Sequence, residues 1–509
     1  MRVVTAREMY EADRIAAEEI GLSGVTLMEN AGHAICRKLE EWIVREERIA
    51  ILVGAGNNGG DGFVVARILK SRGFKVDVWV APNRDKIKGD AAEHRDIFLR
   101  AGYSPYYYET NEKEFYEHLP AYSVIIDCLL GIGIKGEIRS PYNEIISAVN
   151  KCSAKVIAVD LPSGVAADGT VPNGQEPIRA NRTITLQYPK TGAFTFPAAS
   201  YYGTISRVDI GIPPKAFRSD QVRLLWQEEA VKSTLPVRDP SSHKGSHGKG
   251  LIIGGSREMT GAPMMTAMAA YRAGAGLITV AVPDVILPVA AASMLEAMYK
   301  PMPSDEGSFS GSEMPDLEAY HAVAVGPGMG RGKGSAAIVK RLLEEDIPLL
   351  IDADGLFHLS SFLEMLERRN GITILTPHPG EMARLLNCSI GYVQSNRFEV
   401  SRDFAVKYGV FLVLKGPFTI VTTPNGEQFV NTTGNASLAK GGSGDVLAGT
   451  IFGFMLQDDK TQSAISNAVY VHGGIADNLV ATAHSLMDVM ATDIINGIPL
   501  FLRTFFQEV

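Results

Sequence analysis

One carboxylate in the second half of the chain, Asp445, follows a glycine-rich loop and precedes an apolar run. The loop, Asn431–Gly444, is polar, and the apolar residues from Val446 predict a helix that continues to about Leu456. Because the first amides of a helix favour an anion, we expect a phosphate group here. A carboxylate would repel a stored anion, so this residue suggests a general base beside a transferring phosphoryl group. The alternative is a glycine-rich turn in which Asp445 is only the N-cap of the helix. The glycines expected to take positive φ and let the backbone approach that group are Gly441, Gly442 and Gly444.

Other residues of the second half could position and neutralise phosphate, as phosphoryl transfer requires. Lys415 and Gly416 follow a predicted strand, where a nucleotide phosphate or base could lie. Glu381 and Asp354 are candidates for water-mediated contacts to magnesium. His378 lies between two prolines, which fix its backbone and aim its ring. The alternative is structural in each case, with the carboxylates as helix or loop caps and the histidine as an ordinary turn residue.

Hard oxygen donors also follow three predicted strands in the first half of the chain. Such oxygens suit a hard cation, and no histidine or cysteine joins them, which disfavours zinc and copper. Ligands gather at the carboxyl ends of parallel strands, so we expect these side chains to converge. A carboxylate that does not bind the cation could act as a general base, whereas each residue taken alone could simply form a turn. The residues are Asn57, Asn58, Asp61, Asp127, Asp160 and Ser163.

Apolar runs alternate with helical segments along the whole chain, which predicts an α/β protein with parallel sheets and two domains. Helices are predicted within 7–46, with a break at 22–24, and strands at 49–53, 74–80, 124–127, 156–160, 183–186 and 205–210. A second series is predicted to begin at Gly250, with a helix at 262–273 and strands at 251–253, 277–282, 322–325, 348–351, 372–375 and 411–414. The proline-rich, charged segment 211–247 separates the two series, which places the domains at 1–220 and 221–509.

Composition excludes several classes of protein. The net charge of −8 disfavours a nucleic-acid surface as the main role. The four cysteines show no disulfide or zinc spacing, and the N-terminus lacks the apolar core of a signal peptide, so we expect a cytoplasmic protein. No apolar run is long enough to predict a membrane span. The glycine turns match neither a Walker A loop nor a dinucleotide fingerprint, which disfavours a P-loop enzyme and a plain dehydrogenase.

Taken together, the motifs resemble those of a known family of metabolite repair enzymes. Gly54-Ala-Gly-Asn-Asn-Gly-Gly-Asp-Gly62 and Val159-Asp-Leu-Pro-Ser-Gly164 resemble the NAD(P)HX epimerase domain. Gly326-Pro-Gly-Met-Gly330, Thr376-Pro-His-Pro-Gly-Glu381 and Lys440-Gly-Gly-Ser-Gly-Asp445 resemble the ribokinase-like, ADP-dependent NAD(P)HX dehydratase domain. The resemblance covers nearly the whole chain, in the order found in the bifunctional bacterial repair enzymes. It implies a Rossmann-like N-terminal domain followed by a ribokinase-like C-terminal domain.

For the first domain, the resemblance implies interconversion of the R and S epimers of hydrated NADH or NADPH, with Asp160 as the catalytic residue. Ala55 stands where the family is associated with proline, which changes the expected stiffness of this turn. The implied potassium ligands are Asn58, Asp127 and Ser163. The implied substrate contacts are Asn57, Asn58, Gly59, Gly60, Asp61, Gly131, Ile132, Gly133, Ile134, Lys135, Gly136, Glu137 and Asp160.

For the second domain, the resemblance implies dehydration of the S epimer at the expense of ADP, giving AMP and phosphate, with Asp445 as the catalytic residue. The implied substrate contacts are Ala262, Gly328, His378 and Asp445. The implied ADP contacts are Lys415, Gly416, Pro417, Phe418, Thr419, Asn435, Ala436, Ser437, Leu438, Ala439, Lys440, Gly441, Gly442, Ser443 and Gly444.

Two other functions remain open from the sequence. A ribokinase-like kinase acting on a small alcohol, such as a vitamin precursor, would use the same Gly-Asp chemistry and release a stable phosphoester. A nucleotide-sensing or partner-binding module would have lost catalysis in the first domain. Under the favoured interpretation the partners are NAD(P)HX and ADP, the ions are potassium and magnesium, neither nucleic acid nor membrane is bound, and we expect a homo-oligomer.

Overall fold

The chain forms two compact units. The computed structural model describes residues 1–134, 136–458 and 460–506. Arg2–Asp220 form one unit, called here the N-terminal unit, and Gln221–Val509 together with Met1 form the other, the C-terminal unit. In the described residues, no helix is both long and apolar enough to cross a bilayer.

The N-terminal unit is built on a seven-stranded sheet in which every neighbouring pair is parallel. The strand order is β3-β2-β1-β4-β5-β6-β7, and helices cover both faces. The strands are β1 Arg48–Val53, β2 Lys75–Val80, β3 Tyr106–Tyr107, β4 Val124–Cys128, β5 Lys155–Val159, β6 Arg182–Leu186 and β7 Thr204–Val208. The helices are α1 Ala6–Ile15, α2 Gly24–Leu39, α3 Asn57–Ser71, α4 Gly89–Arg100, α5 Glu112–His118 and α6 Tyr142–Val149.

Helix α3 begins earlier than its sequence suggests. A glycine-rich motif such as Gly54–Gly62 is typical of a turn, but the helix starts within it, at Asn57, after Gly56 in an extended conformation. Glycine is a poor helix former, yet these glycines are needed for close packing, which outweighs propensity. A Cβ on Gly59 would lie 2.1 Å from the Gly54 carbonyl oxygen, and one on Gly60 would lie 2.3 Å from the Met28 sulfur. The helix therefore presents its first turn directly at the end of β1.

The C-terminal unit contains a ten-stranded mixed sheet with the order β11-β10-β9-β14-β15-β16-β17-β18-β19-β8. The β17–β18 and β18–β19 pairs are antiparallel, and the other described pairs of this sheet are parallel. The strands are β8 Arg223–Trp226, β9 Lys249–Ile253, β10 Leu277–Pro283, β11 Met298–Met302, β12 Ser304–Asp305, β13 Ser308–Phe309, β14 Ala322–Val325, β15 Leu349–Ile351, β16 Thr373–Leu375, β17 Phe411–Leu414, β18 Ile420–Thr422 and β19 Gln428–Asn431; β12 and β13 form a separate hairpin. The helices are α7 Glu228–Thr234, α8 Gly261–Arg272, α9 Leu287–Ser293, α10 Lys333–Leu343, α11 Asp354–Leu359, α12 Leu363–Leu366, α13 Pro379–Leu386, α14 Ile390–Ser395, α15 Arg397–Tyr408, α16 Ser443–Met455, α17 Thr461–Thr482 and α18 Ala491–Phe506.

The α/β class expected from the alternating pattern is confirmed in both units. The helix predicted from Val446 is displaced, because α16 begins at Ser443 and Asp445 is its third residue rather than its N-cap. Of the three glycines expected at positive φ, only Gly442 has it, at 89°. Its left-handed conformation turns the chain into the helix, so its neighbours need no unusual conformation.

Candidate active sites

A cavity of about 610 Å³ lies at the carboxyl ends of the strands in the N-terminal unit. The predicted residues that line it are Asn57, Asn58, Asp61, Gly131, Ile132, Gly133, Ile134 and Asp160. Gly59 and Gly60 are buried in α3 behind this surface, and Gly136 and Glu137 lie beyond the lining. Lys135 is outside the described residues. Most of the polar groups expected to converge therefore line one cavity.

Asp160 forms an ion pair with Lys190, whose side chain is only 1% exposed. The Asp160 Oδ1 atom also accepts a hydrogen bond of 3.0 Å from the Leu186 amide, and the Lys190 ammonium donates to the Leu186 carbonyl at 3.2 Å. Asp160 has a φ of 67°, uncommon for a residue other than glycine. A backbone held in this way keeps the carboxylate in the lining of the cavity, with the buried lysine against it.

Two further carboxyl groups line the same cavity, and the pKa of each is raised. Burial raises the pKa of Asp61 well above its usual value, and the charges of Asp160 and Asp13 raise it further. Burial also raises the pKa of Asp13 to about 6, although Lys190 partly offsets this. Lys190 thus interacts with three acidic groups, and its ion pair is with Asp160.

The proposed potassium ligands also lie together. The Asp127 carboxylate accepts hydrogen bonds from the Ser163 hydroxyl at 2.6 Å and the Ser163 amide at 2.8 Å. The Asn58 amide group donates to the carbonyls of Leu130, at 2.8 Å, and Val159. Within the described part of the chain, its Oδ1 atom is buried without a hydrogen-bond partner. Because a buried acceptor without a partner is costly, a cation at this oxygen is chemically suitable.

In the C-terminal unit, Asp445 lies at the start of α16 near a partly buried lysine, Lys415. The Lys415 ammonium is 2.9 Å from Asp352 Oδ1 and 3.8 Å from Glu381 Oε2. Its pKa is raised, because these carboxylates outweigh the lowering effect of burial. Burial raises the pKa of Asp445 to about 7, with Asp352 adding to the shift and Lys415 opposing it. Asp445 is therefore poised to take up or release a proton near neutral pH.

His378 and Glu381 form the N-terminal cap of α13. The His378 Nδ1 atom accepts from the Gly380 amide at 3.0 Å, and Glu381 accepts from the His378 amide at 2.8 Å. Burial and then the charge of Lys415 lower the pKa of His378, so the ring is neutral at pH 7. Its Nε2 atom consequently carries the proton and can donate to a ligand.

Asp354, the other carboxylate predicted near magnesium, accepts a hydrogen bond from the Gly330 amide at 3.0 Å and lies 3.2 Å from the Arg331 guanidinium. Among the described residues, no group of three or more His, Cys, Asp or Glu side chains is arranged to hold a metal ion. Magnesium commonly binds through one or two carboxylates, water and substrate phosphates, so this donor set remains chemically suitable.

The two predicted nucleotide loops meet close to Asp445. A Cβ built on Gly444 would lie 3.6 Å from the Lys415 ammonium, which joins the 415–419 loop to the start of α16. The Asn435 amide group donates to Asp477 at 2.9 Å, which anchors the 435–444 loop to α17. Gly328, with a φ of 61°, packs beside Ala262, so these two predicted substrate contacts are neighbours as well.

Known proteins resemble this chain over nearly its whole length. The chain is 37% identical to the bifunctional NAD(P)H-hydrate repair enzyme of Moorella thermoacetica, over 100% of this chain and 98% of that protein. It is 36% identical to the enzyme of the same name from Coxiella burnetii, over 96% of each chain. The chain belongs to the family of bifunctional NAD(P)H-hydrate repair enzymes.

A family model matches each half of the chain, and a solved structure matches the second half. The model for the YjeF-related protein N-terminus matches residues 24–192, and the NAD(P)H-hydrate dehydratase model matches residues 250–500. The ADP/ATP-dependent NAD(P)H-hydrate dehydratase of Bacillus subtilis, crystallised with ATP and Mg²⁺, is 33% identical and gives a TM-score of 0.51, covering 56% of this chain and 100% of that one. The expected family membership is therefore confirmed for both halves.

Several residues that shape these repair-enzyme sites were not predicted from the sequence. Lys190 and Asp13 approach Asp160 and Asp61 only through the fold. Arg397 is buried in α15 and donates to the carbonyls of Leu414 at 3.0 Å and Phe418 at 2.9 Å, which holds the 415–419 loop. Burial lowers its pKa to about 10, still far above neutrality. Only Lys190, which follows a strand in the segment Tyr-Pro-Lys-Thr-Gly, carried a local signal.

Proposed function

We propose that this chain is a bifunctional repair enzyme for hydrated nicotinamide cofactors. Residues 1–220 would interconvert R- and S-NAD(P)HX, and residues 221–509 would dehydrate the S epimer with ADP, giving NAD(P)H, AMP and phosphate. Full-length similarity to repair enzymes supports this proposal, together with two separate sites that each hold an acid–base carboxylate. The observation that carries the most weight is Asp445, a partly buried acid poised near neutral pH at a helix N-terminus.

For the dehydratase, the chemical problem is that hydroxide is a poor leaving group. Asp445 takes the proton from the substrate hydroxyl as its oxygen attacks the terminal phosphorus of ADP, and AMP departs. The first amides of α16 and the Lys415 ammonium stabilise the negative charge that develops on the phosphoryl oxygens. The ring nitrogen then expels phosphate, and loss of a proton from the neighbouring carbon restores the dihydropyridine. The alcohol is thereby eliminated without a hydroxide leaving group.

Magnesium, when bound, would neutralise nucleotide phosphate charge. Glu381 and Asp354 are the residues proposed to contact it through water. Burial raises the pKa of Glu381, which indicates a carboxylate that lacks full compensation for its charge. Lys415 and the α16 amides position the phosphates from the opposite side, since Lys415 lies next to Gly444.

For the epimerase, Asp160 would move the proton of the substrate hydroxyl. The Lys190 ion pair holds the Asp160 carboxylate in place in the cavity. Potassium, when bound, would supply a fixed positive charge at Asn58, Asp127 and Ser163. Asn57, Gly131 and Gly133 line the cavity beside these groups, where they can contact the nicotinamide portion.

A single assay tests both activities. The full-length chain is incubated with ADP, Mg²⁺ and either S-NADHX or R-NADHX, and the absorbance of NADH is followed together with the nucleotide products. We expect NADH, AMP and phosphate from both epimers, and from the R epimer only when Asp160 is intact. A stable phosphoester instead of phosphate would identify a small-molecule kinase and overturn the proposal. Replacing ADP with ATP measures which nucleotide the site prefers.

A further inference from the structure

The cavity of the N-terminal unit contains a carboxyl group, that of Asp61, to which the proposed function assigns no proton transfer. Asp61 is only 7% exposed and lines the cavity, yet none of the described residues forms a hydrogen bond or ion pair with its carboxyl group. Asp160, in the same cavity, is ion-paired with Lys190. A buried carboxyl group without a partner is expected to keep its proton, whereas one paired with lysine is expected to lose it.

We propose that Asp61 is the general acid of the epimerase reaction and acts opposite Asp160, the base. This inference rests on the proposed epimerase function. The hydrated ring carries its hydroxyl on the carbon beside the ring nitrogen, so its configuration can change if the bond between this carbon and the nitrogen opens. Opening requires removal of the hydroxyl proton and delivery of another proton to the nitrogen. The cavity supplies one group for each task.

The proton and electron balance is complete without a co-reactant. Asp160 removes the hydroxyl proton, and the oxygen electrons form an aldehyde carbonyl as the carbon–nitrogen bond breaks. The electron pair of that bond takes the proton from Asp61. Rotation about the adjacent carbon–carbon bond presents the other face of the aldehyde. The reverse transfers then close the ring with the opposite configuration and return both carboxyl groups to their starting states.

The groups that face Asp61 explain why it holds its proton. Asp13 approaches from α1 and Asp160 from the end of β5, and both raise the Asp61 pKa in addition to the effect of burial. Lys190 acts in the opposite direction. Cys128, at the end of β4, adds no charge, because burial raises the pKa of its thiol well above its usual value. Asp13 is thus a positioning residue, which acts on the reaction through the proton of Asp61.

The test measures the rate of R-to-S conversion by the full-length chain against pH, after subtraction of the rate without enzyme. Asp61→Asn should lower the rate by about 10²–10⁴-fold, the usual contribution of a general acid. Asp13→Asn should keep most of the maximal rate but move the alkaline limb to lower pH, because one charge that holds the proton is lost. Asp96→Asn, at an exposed site on α4, is the matched control and should leave both limbs in place.

Two measurements separate the possible failures. An unchanged thermal transition, and full dehydration of S-NADHX, show that Asp61→Asn remains folded. If the unaltered chain does not interconvert the epimers, the proposed function itself is wrong. If it does, but Asp61→Asn retains its rate or Asp13→Asn leaves the alkaline limb in place, the assignment of Asp61 is overturned while the epimerase function stands.

Discussion

At the scale of single residues, the two proposed bases show opposite electrostatic environments. Asp160 has Lys190 as a direct partner. Asp445 also has a lysine nearby, Lys415, but the ammonium of Lys415 is 2.9 Å from Asp352 Oδ1, which offsets much of its charge. The pKa of Asp445 therefore rises to about 7 by burial and by repulsion from Asp352. An acid of this strength can accept a proton in one step of a reaction at neutral pH and release it in the next.

Replacement of Asp445 by asparagine should abolish most dehydration. The amide keeps the shape of the side chain but cannot accept the hydroxyl proton, so we expect kcat to fall by about 10²–10⁴-fold. Because the carboxylate is the active form, the rate of the unaltered chain should decline as the pH falls through about 7. Steady-state kinetics with S-NADHX and ADP, over about one and a half pH units on either side of that pKa, measure both effects. Turnover that survives the substitution, with nucleotide binding intact, would rule out this role.

The same residue should reduce the stability of the folded chain at neutral pH. A carboxyl group whose pKa is raised on folding contributes stability below its unfolded pKa and loses it as the pH rises through the folded value. The stability that Asp445 contributes should therefore fall as the pH rises from about 4 to about 7, and the full loss should remain at higher pH. We expect Asp445→Asn to increase the unfolding free energy by on the order of 2 kcal/mol at pH 8. Chemical denaturation at pH 8 and pH 4 checks this, and an equal gain at both pH values would contradict it.

Residues within continuous motifs were predictable, whereas residues that meet through the fold were not. Asp445 and Asn58 stand in glycine-rich segments whose composition alone suggests a ligand. Lys190 is 30 positions from Asp160, and Arg397 reaches a loop 17 to 21 positions away. Arg397 has no local sequence feature that distinguishes it from an arginine in solvent, and Lys190 has only the strand that precedes it. The sequence therefore predicts Asp160, Asp445 and Lys415, but not Asp13, Lys190 or Arg397.

At the scale of elements, the start of α16 depends on a left-handed residue. Gly442 has a φ of 89°, and a Cβ there would lie 2.9 Å from the Ala491 Cβ and 2.8 Å from the Met265 sulfur. Gly442→Ala should cost about 2 kcal/mol, from the left-handed conformation and this contact, and should lower dehydration by displacing Asp445. Gly441→Ala is the matched control for stability, because a Cβ there meets nothing within 4 Å. Equal loss of stability in both variants would show that the conformation of Gly442 is not the cause.

The 415–419 loop depends on a second element, α15. Arg397→Met would keep much of the side-chain volume but leave buried carbonyls of this loop without their donor, at a cost of about 1–3 kcal/mol. We expect the Kd for ADP to rise several-fold, because Lys415 shifts with the loop. Arg402→Met, on the same helix, is the control, since Arg402 pairs with the exposed Asp403 rather than with the loop. Isothermal titration and thermal unfolding give the two readouts, and an unchanged ADP affinity would contradict the proposed role.

Most parallel strands could be predicted from sequence, because they are short apolar runs and many of them end at a glycine or an acidic residue. The strands that were not predicted are β3, β8, β11, β12, β13, β18 and β19. Strands β18 and β19 are three and four residues long and lie between turns, and β8 lies within a segment rich in proline and charge. Strand β8 pairs with β19 from a distant part of the chain, with Gln428 opposite Arg223. The spacing of apolar residues along the sequence gives no indication of such contacts.

At the scale of the whole molecule, each unit has its own sheet and its own hydrophobic clusters. Neither family model covers residues 193–249, the segment between the two matched regions. The structure divides it, since β7 completes the N-terminal sheet and β8 and α7 belong to the C-terminal unit. Trp226 and Val231 lie in the C-terminal core, and the Trp226 indole donates to Asn467 at 2.9 Å. A boundary chosen from motifs alone would therefore remove part of that core.

Separating the chain at Asp220 should yield two active pieces. We expect a chain of residues 2–220 to interconvert the epimers and a chain of residues 221–509 to dehydrate S-NADHX with ADP at near the full-length rate. A chain that begins at residue 236 should lose activity and aggregate, because β19 becomes an exposed edge and the pocket of Trp226 is left empty. Gel filtration, thermal unfolding and the two assays compare the three chains. A well-folded, fully active 236–509 chain would show that β8 and α7 are dispensable, and an inactive 221–509 chain would show that dehydration requires the N-terminal unit.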